Sequence, residues 1–285
     1  MMEFNKIGVV GCGQMGSGIV EVAAKAGLEV LAMEITDELI EKGRSRIEKS
    51  LGRAVDKGKL SAEDKDAIMG RIKFTSNLDN FADSDLVVEA VTEDLKTKLE
   101  TFVTLDRVCK PETALASNTS SLSITELAAG TNRPGRFIGL HFFNPVPVMK
   151  LVEVVKTVAT DEEVIASARA FAEKVGKVPV LAKDGGGFIV NRLLVPYLFD
   201  AILVYQNGLA TKEDIDNGMK FGCGHPMGPL ELNDFIGLDT MYYIGEILFE
   251  EFKEPRFAPP PLLKRMVQAG YLGRKTGRGF YDYSK

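Results

Sequence analysis

The chain has 285 residues, of which 45% are hydrophobic and 26% are charged, and its formal net charge is −5. This composition can supply a full hydrophobic core for one large domain or two smaller ones, and it excludes a disordered chain. The acidic balance gives no reason to expect a nucleic-acid or anionic-membrane partner, so an anionic ligand needs a local basic site.

The three cysteines, Cys12, Cys109 and Cys223, lie far apart and form no CxxC pair. Neither a disulfide framework nor a zinc site is indicated, and we expect no bound metal. The first residues lack the basic and apolar regions of a signal peptide, and we find no run of about 18 apolar residues. We therefore expect a cytoplasmic protein without a membrane partner.

Short apolar runs alternate with amphipathic stretches in the first part of the chain. Such runs are typical of strands that a parallel sheet buries on both faces, so they predict an α/β, doubly wound, mainly parallel sheet of Rossmann type. The predicted strands lie at 7–10, 30–33, 86–89, 114–116, 137–140, 151–155 and 178–181.

Two further stretches predict helices. Residues 37–70 are rich in charge, with apolar residues at helical spacing, and indicate a helical hairpin inserted between strands. After the triple glycine at 185–187 the strand-like runs end. We expect a first domain at 1–184 and an all-helical second domain at 188–285, whose apolar helix at 189–203 needs another surface to pack against.

A glycine-rich turn follows the first predicted strand and precedes a predicted helix at 17–26. In a GxGxxG turn the first glycine, Gly11, permits a tight bend, the second, Gly13, lets the backbone approach a pyrophosphate, and the third, Gly16, lets helix and strand pack closely. The motif alone is weak evidence. The predicted cofactor-binding residues of the turn are Gly11, Cys12, Gly13, Gln14, Met15 and Gly16.

Glu34 ends the second strand-like run, at a distance from the turn that suits a ribose-binding carboxylate. Its carboxylate would accept hydrogen bonds from the adenosine ribose and repel a 2′-phosphate, and residues 35–37 supply no arginine to hold one. We therefore predict NAD over NADP. The alternative is a surface carboxylate at a strand end.

The chain has two histidines, so the search for a general base near neutral pH is short. His141 ends the run at 137–140, where doubly wound sheets place their chemistry. In the run at 151–155 a lone carboxylate, Glu153, needs a partner if it is buried. His141 is a candidate partner, although the sequence cannot show contact. We expect the other histidine, His225, to shape a Pro/Gly-rich loop.

A family resemblance extends over residues 6–283 and is carried by the segments at 117–122, 141–145, 191–193, 225–232 and 277–281. Several such segments in one order are far more specific than any one of them. They resemble the L-3-hydroxyacyl-CoA dehydrogenases, particularly the short-chain 3-hydroxybutyryl-CoA type.

The resemblance implies an NAD(H)-dependent reversible oxidation of (S)-3-hydroxybutyryl-CoA to acetoacetyl-CoA. In that family the histidine at the position of His141 takes the proton of the substrate hydroxyl, and Glu153 orients it. Ser120 hydrogen-bonds the substrate, and Asn191 helps to hold the reacting oxygen. Ser120 could instead cap the predicted helix at 124–129, and Asn191 could bond backbone inside a helix.

Further contacts follow from the resemblance alone. Solvated salt bridges compete with this interpretation for the charged residues. The family is homodimeric, and we expect a homodimer through the helical part after Phe188. The implied cofactor contacts are Glu93, Lys98, Ser120, Asn144 and Lys275, and the implied CoA contacts are Ser50, Arg53, Lys57 and Ser120.

Two positions depart from the family pattern. The ribose-binding acid is commonly Asp and is Glu34 here, and an asparagine commonly follows the glutamate at 93, where this chain has Asp94. Two other functions remain open, a dehydrogenase of a non-CoA hydroxy acid such as gulonate and a protein that binds NAD without chemistry.

Overall fold

A computed structural model describes residues 2–284, which divide into two units between Gly185 and Gly186. In the described part of the first unit, an eight-stranded sheet has the order β3-β2-β1-β4-β5-β6-β7-β8. The strands are β1 (Lys6–Val10), β2 (Glu29–Met33), β3 (Ile72–Thr75), β4 (Leu86–Glu89), β5 (Ala114–Ser117), β6 (Phe137–Phe142), β7 (Leu151–Lys156) and β8 (Val178–Lys183).

The sheet is mainly parallel, as predicted. Neighbouring strands pair in parallel, except that β6 and β7 pair antiparallel. Because β1, β4, β5 and β6 run the same way, their carboxyl ends meet at one edge of the sheet. That edge holds the predicted glycine turn, Glu93, Ser120 and His141.

The edge strand β3 is not among the strands predicted from the sequence. Its residues alternate, with Ile72 and Phe74 packed against the core and Lys73 exposed. An edge strand with one solvated face lacks the continuous apolar run that marks the central strands. A continuous apolar run therefore does not mark this strand in the sequence.

The helices of the first unit cover the sheet and include the predicted hairpin. Its first arm buries Ile40, Gly43, Ile47 and Leu51 on one face, and its amino end is capped by Thr36, whose hydroxyl accepts the Leu39 N–H at 3.3 Å. These helices are α1 (Gln14–Lys25), α2 (Asp37–Asp56), α3 (Ala62–Gly70), α4 (Leu95–Val108), α5 (Ile124–Ala129) and α6 (Glu162–Lys174), with α2 and α3 forming the hairpin.

The second unit is helical, and strands are absent from its described residues apart from isolated bridges near the carboxyl end. Its core gathers apolar residues such as Leu198, Phe199, Leu230 and Phe257. Among the described helices, none is both long and apolar enough to cross a membrane. The helices are α7 (Val190–Gln206), α8 (Lys212–Cys223), α9 (Pro229–Ile236), α10 (Leu238–Phe252) and α11 (Pro261–Gln268).

A buried carboxylate, Asp234, holds the carboxyl-terminal segment of the second unit. It accepts the backbone N–H groups of Phe280 at 2.9 Å and Tyr281 at 2.8 Å. A Cβ at Gly279 would lie 1.9 Å from Asp234 Oδ1, so only glycine fits there. The terminal Gly-Arg-Gly-Phe-Tyr motif therefore has a packing role in this unit.

Candidate active site

The glycine turn between β1 and α1 has the geometry that its sequence predicts. Gly11 has φ +91°, and a Cβ there would lie 2.6 Å from the carbonyl oxygen of Ala90. A Cβ at Gly16 would lie 1.7 Å from the Gly11 oxygen, so α1 packs directly on the turn. A Cβ at Gly13 would meet nothing within 4 Å. Gly13 thus faces the open space that a pyrophosphate requires.

The amino end of α1 suits an anion. Gly13 is its N-cap, no side chain caps it within the described residues, and its first turn contains no acidic residue. The N–H groups at this end carry partial positive charge and lack intrahelical partners. The residues present therefore fit the phosphates of a dinucleotide.

Glu34 lies directly after β2 and reaches the glycine turn. Its Oε1 accepts the backbone N–H of Cys12 at 2.7 Å. Burial raises the pKa of the Cys12 thiol to about 12, and the Glu34 carboxylate adds to that shift. Cys12 is therefore a packing residue rather than a nucleophile.

His141 and Glu153 form a hydrogen-bonded pair. They are register partners in the antiparallel pairing of β6 with β7, and His141 Nδ1 lies 2.6 Å from Glu153 Oε2. Glu153 is fully buried and His141 nearly so, with the Phe143 ring 4.5 Å from the imidazole between centroids. The structure thus joins the two residues that the sequence could only suggest as partners.

This pairing determines which ring nitrogen can exchange a proton. With Nδ1–H donating to the carboxylate, the imidazole presents Nε2 as its basic atom, and a proton gained there is stabilised by Glu153. The Asn118 side chain supports the same strand, because its Oδ1 accepts the Phe142 N–H at 2.9 Å. The arrangement suits a general base and acid.

Glu93 accepts hydrogen bonds from three residues of the loop that follows β5. Its Oε1 accepts the hydroxyl of Thr119, the backbone N–H of Ser120 at 3.1 Å and the hydroxyl of Ser121 at 3.0 Å. Burial acts to raise the pKa of Glu93, but the Lys98 ammonium and these hydroxyl groups outweigh it, so the pKa lies below its usual value. Glu93 is therefore an anion that fixes the backbone at Ser120.

The helix-cap alternative for Ser120 is wrong. The N-cap of α5 is Ser123, whose hydroxyl accepts the Glu126 N–H at 3.2 Å. Asp94, one of the two departures from the family pattern, caps α4 by accepting the Thr97 N–H at 2.8 Å and the Thr97 hydroxyl at 2.6 Å. An asparagine has the same acceptor, so this departure conserves the cap.

Comparison with known proteins decides the family. A family model for the 3-hydroxyacyl-CoA dehydrogenase NAD binding domain matches residues 6–185, and one for the C-terminal domain of the same enzymes matches residues 187–283. The chain belongs to the 3-hydroxyacyl-CoA dehydrogenase family. It is an NAD-dependent oxidoreductase, and the predicted fold class, family and cofactor are confirmed.

Relatives of this dehydrogenase match it along its whole length. It is 54% identical over 280 residues to a 3-hydroxybutyryl-CoA dehydrogenase of Mycobacterium tuberculosis, with 98% of each chain covered. It is 49% identical over 284 residues to a probable 3-hydroxybutyryl-CoA dehydrogenase of Bacillus subtilis, covering 100% of this chain and 99% of the relative. The crystal structure of an (S)-3-hydroxybutyryl-CoA dehydrogenase from Ralstonia eutropha superposes with a TM-score of 0.97 at 46% identity, covering 99% of this chain and 100% of that one.

The predicted CoA contacts of the dehydrogenase lie along α2. Ser50 is half-buried, whereas Arg53 and Lys57 are exposed. Ser50 and Arg53 face Glu21 of α1: burial raises the pKa of Glu21, and the Ser50 hydrogen bond and the nearby cations, Arg53 among them, partly offset that shift. The spacing of the three residues places them on one helix face.

The remaining predicted residues take separate positions. Asn144 is exposed and precedes Pro145 across a cis peptide bond. In the second unit, Asn191 lies in the first turn of α7, and Lys275 pairs with Asp239 at 2.5 Å.

His225 also lies in the second unit, and its Nδ1 is 3.0 Å from the Tyr197 hydroxyl. In the part of the chain that the structure describes, no cluster of His, Cys, Asp or Glu could hold a metal.

Several residues that were given no individual role from the sequence also build the carboxyl edge of the sheet. Glu89, Ser117, Asn118, Thr119 and Ser121 are all buried or nearly buried polar residues at the ends of β4 and β5. The sequence does show these polar residues at the ends of apolar runs, and polar residues at the ends of buried strands are unusual unless they are paired. Their partners, however, lie on other elements, including β6, α4 and the loop before α4, and could not be read from the sequence.

Proposed function

We propose that this dehydrogenase catalyses the reversible oxidation of (S)-3-hydroxybutyryl-CoA to acetoacetyl-CoA with NAD. The observation that carries the proposal is the buried His141–Glu153 pair, 2.6 Å apart, at the sheet edge that also bears the glycine turn. Relatives with that named activity, similar over nearly the whole chain, support the choice of substrate.

His141 is the base in the direction of oxidation. Its Nε2 accepts the proton of the 3-hydroxyl group, while Glu153 stabilises the imidazolium that forms. Bound NAD supplies the hydride acceptor for C3. In the reverse direction His141 returns its proton to the ketone oxygen. A positioned base of this kind contributes about 10²–10⁴-fold in rate.

Other residues hold the reactants. We propose that the turn at Gly11–Gly16 and Glu34 bind the dinucleotide, helped by further contacts along the chain. Ser120 and Asn191 would hydrogen-bond the substrate near its reacting oxygen, and Ser50, Arg53 and Lys57 would bind CoA. The further dinucleotide contacts would be Glu93, Lys98, Ser120, Asn144 and Lys275.

A steady-state comparison of acyl-CoA chain lengths with NADH and NADPH tests the proposal. We expect the highest kcat/KM for acetoacetyl-CoA with NADH and a clear preference over NADPH. Equal kcat/KM values for the two cofactors would remove the proposed role of Glu34. A maximum of kcat/KM for substrates with long acyl chains would overturn the assignment of a short-chain substrate.

We also propose a homodimer formed through the second unit. Its surface exposes large apolar side chains, with Leu193 69% and Phe221 83% exposed. Apolar residues of that size on helices are typical of buried interfaces. Sedimentation at micromolar concentration should give a dimer, and a monomer would contradict the proposal.

We infer a cytoplasmic location. The three cysteines, Cys12, Cys109 and Cys223, are free thiols in the structure, which suits a reducing compartment. Detection of the protein in the cytoplasmic fraction of its source cells would support this inference, and recovery from an oxidising compartment would contradict it.

A further inference from the structure

A buried ionic cluster lies beneath the loops that carry Glu93 and Ser120. Glu89 and Ser117 are 0% exposed, and Lys98 is 1% exposed. Burying a charged group is costly unless it is paired and hydrogen-bonded, so these partners must be arranged closely. The reaction described above uses neither Glu89 nor Ser117.

Glu89 uses both of its carboxylate oxygens. Its Oε1 accepts the Lys98 ammonium at 2.6 Å and the Val91 N–H at 2.8 Å, and its Oε2 accepts the Ser117 hydroxyl at 2.7 Å. Because β4 and β5 are neighbours, this carboxylate fixes the ends of both strands to the start of α4.

Lys98 connects Glu89 to Glu93. Its ammonium also lies 3.1 Å from Glu93 Oε2, and Glu93 holds the Ser120 N–H through its other oxygen. On the other side of the cluster, the Ser117 hydroxyl accepts the Thr119 N–H at 3.2 Å. Two chains of contacts therefore run from Glu89 to the loop that carries Ser120.

The charges make Glu89 necessary for this arrangement. One buried ammonium is shared by two carboxylates, so it is held between them. If the charge of Glu89 is removed, Lys98 is attracted to Glu93 alone and draws that carboxylate from the Thr119 and Ser121 hydroxyls. The Ser120 backbone would then lose its fixed acceptor.

We propose that Glu89 is a positioning residue for this reaction, which acts through Lys98 and Glu93 to fix the loop that carries Ser120. The inference rests on the proposed function, because Ser120 is the substrate-binding residue there. It assigns a role to a side chain that is fully buried.

Glu89→Gln tests the proposal, since it keeps the size of the side chain and removes its charge. We expect kcat/KM for acetoacetyl-CoA to fall about 10–100-fold, since small misplacements in an active site have effects of that order. The dissociation constant for NADH, followed by its fluorescence, should rise about threefold or more as Glu93 moves. Wild-type values of both constants would overturn the proposal.

Asp106→Asn is the matched control. Asp106 pairs with Arg133 at 2.7 Å, is largely buried and lies near the carboxyl end of α4, the helix that carries Lys98 near its start. We expect the melting temperature of the Asp106→Asn variant to fall about as much as that of the Glu89→Gln variant. Its kinetic constants should stay within about twofold of wild type. Equal kinetic losses in both variants would show that loss of any buried carboxylate charge in or beside α4 suffices and would overturn the proposal.

A double-mutant cycle tests the route through Lys98. In the Lys98→Met background, Glu89→Gln should change kcat/KM by less than about threefold, because coupled residues are not additive. The same fold-change in both backgrounds would overturn the route.

If Glu89→Gln does not fold, Glu89→Asp replaces it. Aspartate keeps the charge on a shorter arm and should give a smaller loss in the same constants, whereas wild-type constants would overturn the proposal. Failure of the proposed function is distinguishable, because it would appear as absent turnover in the wild type, and NADH binding would still test the position of Glu93.

Discussion

The His141–Glu153 pair and the charged face of α2 differ in how rigidly the surrounding protein holds their side chains. The pair is buried, and the antiparallel pairing of β6 with β7 sets its 2.6 Å separation. The α2 face, with Arg53 and Lys57, is exposed. In the proposed function, proton transfer is thus preorganised, whereas CoA binding would depend on solvated cations that salt screens.

The largest expected effect follows from removing His141, the proposed base. His141→Gln should lower kcat by about 10²–10⁴-fold, because glutamine cannot accept the proton. The dissociation constant for NADH should stay within about twofold of wild type, because the glycine turn is intact. Steady-state kinetics and fluorescence titration measure the two quantities. Retained turnover would show that another residue is the base.

Glu153→Gln should have the next largest effect. Glutamine keeps the shape but cannot stabilise the imidazolium, and its amide can select the wrong tautomer, so kcat should fall about 10²-fold. The variant should still bind NADH. If kcat were unchanged, the His141–Glu153 pair would have only a structural role. The contrast between this preorganised pair and the exposed face of α2 would then disappear.

Glu34 should affect cofactor choice more than chemistry. Glu34→Ala removes a charged acceptor, so KM for NADH should rise about tenfold and the preference over NADPH should shrink by a similar factor. Glu29→Ala, at the exposed start of β2, the strand that Glu34 follows, is the control and should change neither value. An unchanged preference would mean that Glu34 only supports the Cys12 backbone.

The smallest effect is expected on the exposed face. Lys57→Ala should raise KM for acetoacetyl-CoA about two- to fivefold with little change in kcat, as exposed charge pairs contribute little. The increase should shrink as ionic strength rises. Lys42→Ala, near the other end of α2 where Lys42 pairs with Glu38, should leave KM unchanged. A salt-independent loss of kcat would contradict an electrostatic role.

Features set by neighbouring residues were predictable from the sequence. The glycine turn at Gly11–Gly16, the hairpin of α2 and α3 and the helical part after Phe188 each depend on spacing within one short segment. The edge strand β3 was missed because only one of its faces is apolar along its length.

Features set by pairing between distant residues were not predictable. His141 and Glu153 meet because β7 runs antiparallel to β6, and the prediction of a mainly parallel sheet did not say which strands pair antiparallel. Glu89 lies among apolar residues at a strand end, and only the fold shows that Lys98 and Ser117 surround it. The roles that sequence did give to Ser120 and Asn191 came from family resemblance.

The most direct test of the central claim follows NADH absorbance with purified protein and either acetoacetyl-CoA or acetoacetate. The account predicts rapid oxidation of NADH with acetoacetyl-CoA, formation of (S)-3-hydroxybutyryl-CoA, and much slower oxidation with acetoacetate. No loss of NADH with acetoacetyl-CoA would contradict it and favour a protein that binds NAD without chemistry. Equal rates with both substrates would instead favour a dehydrogenase of non-CoA hydroxy acids.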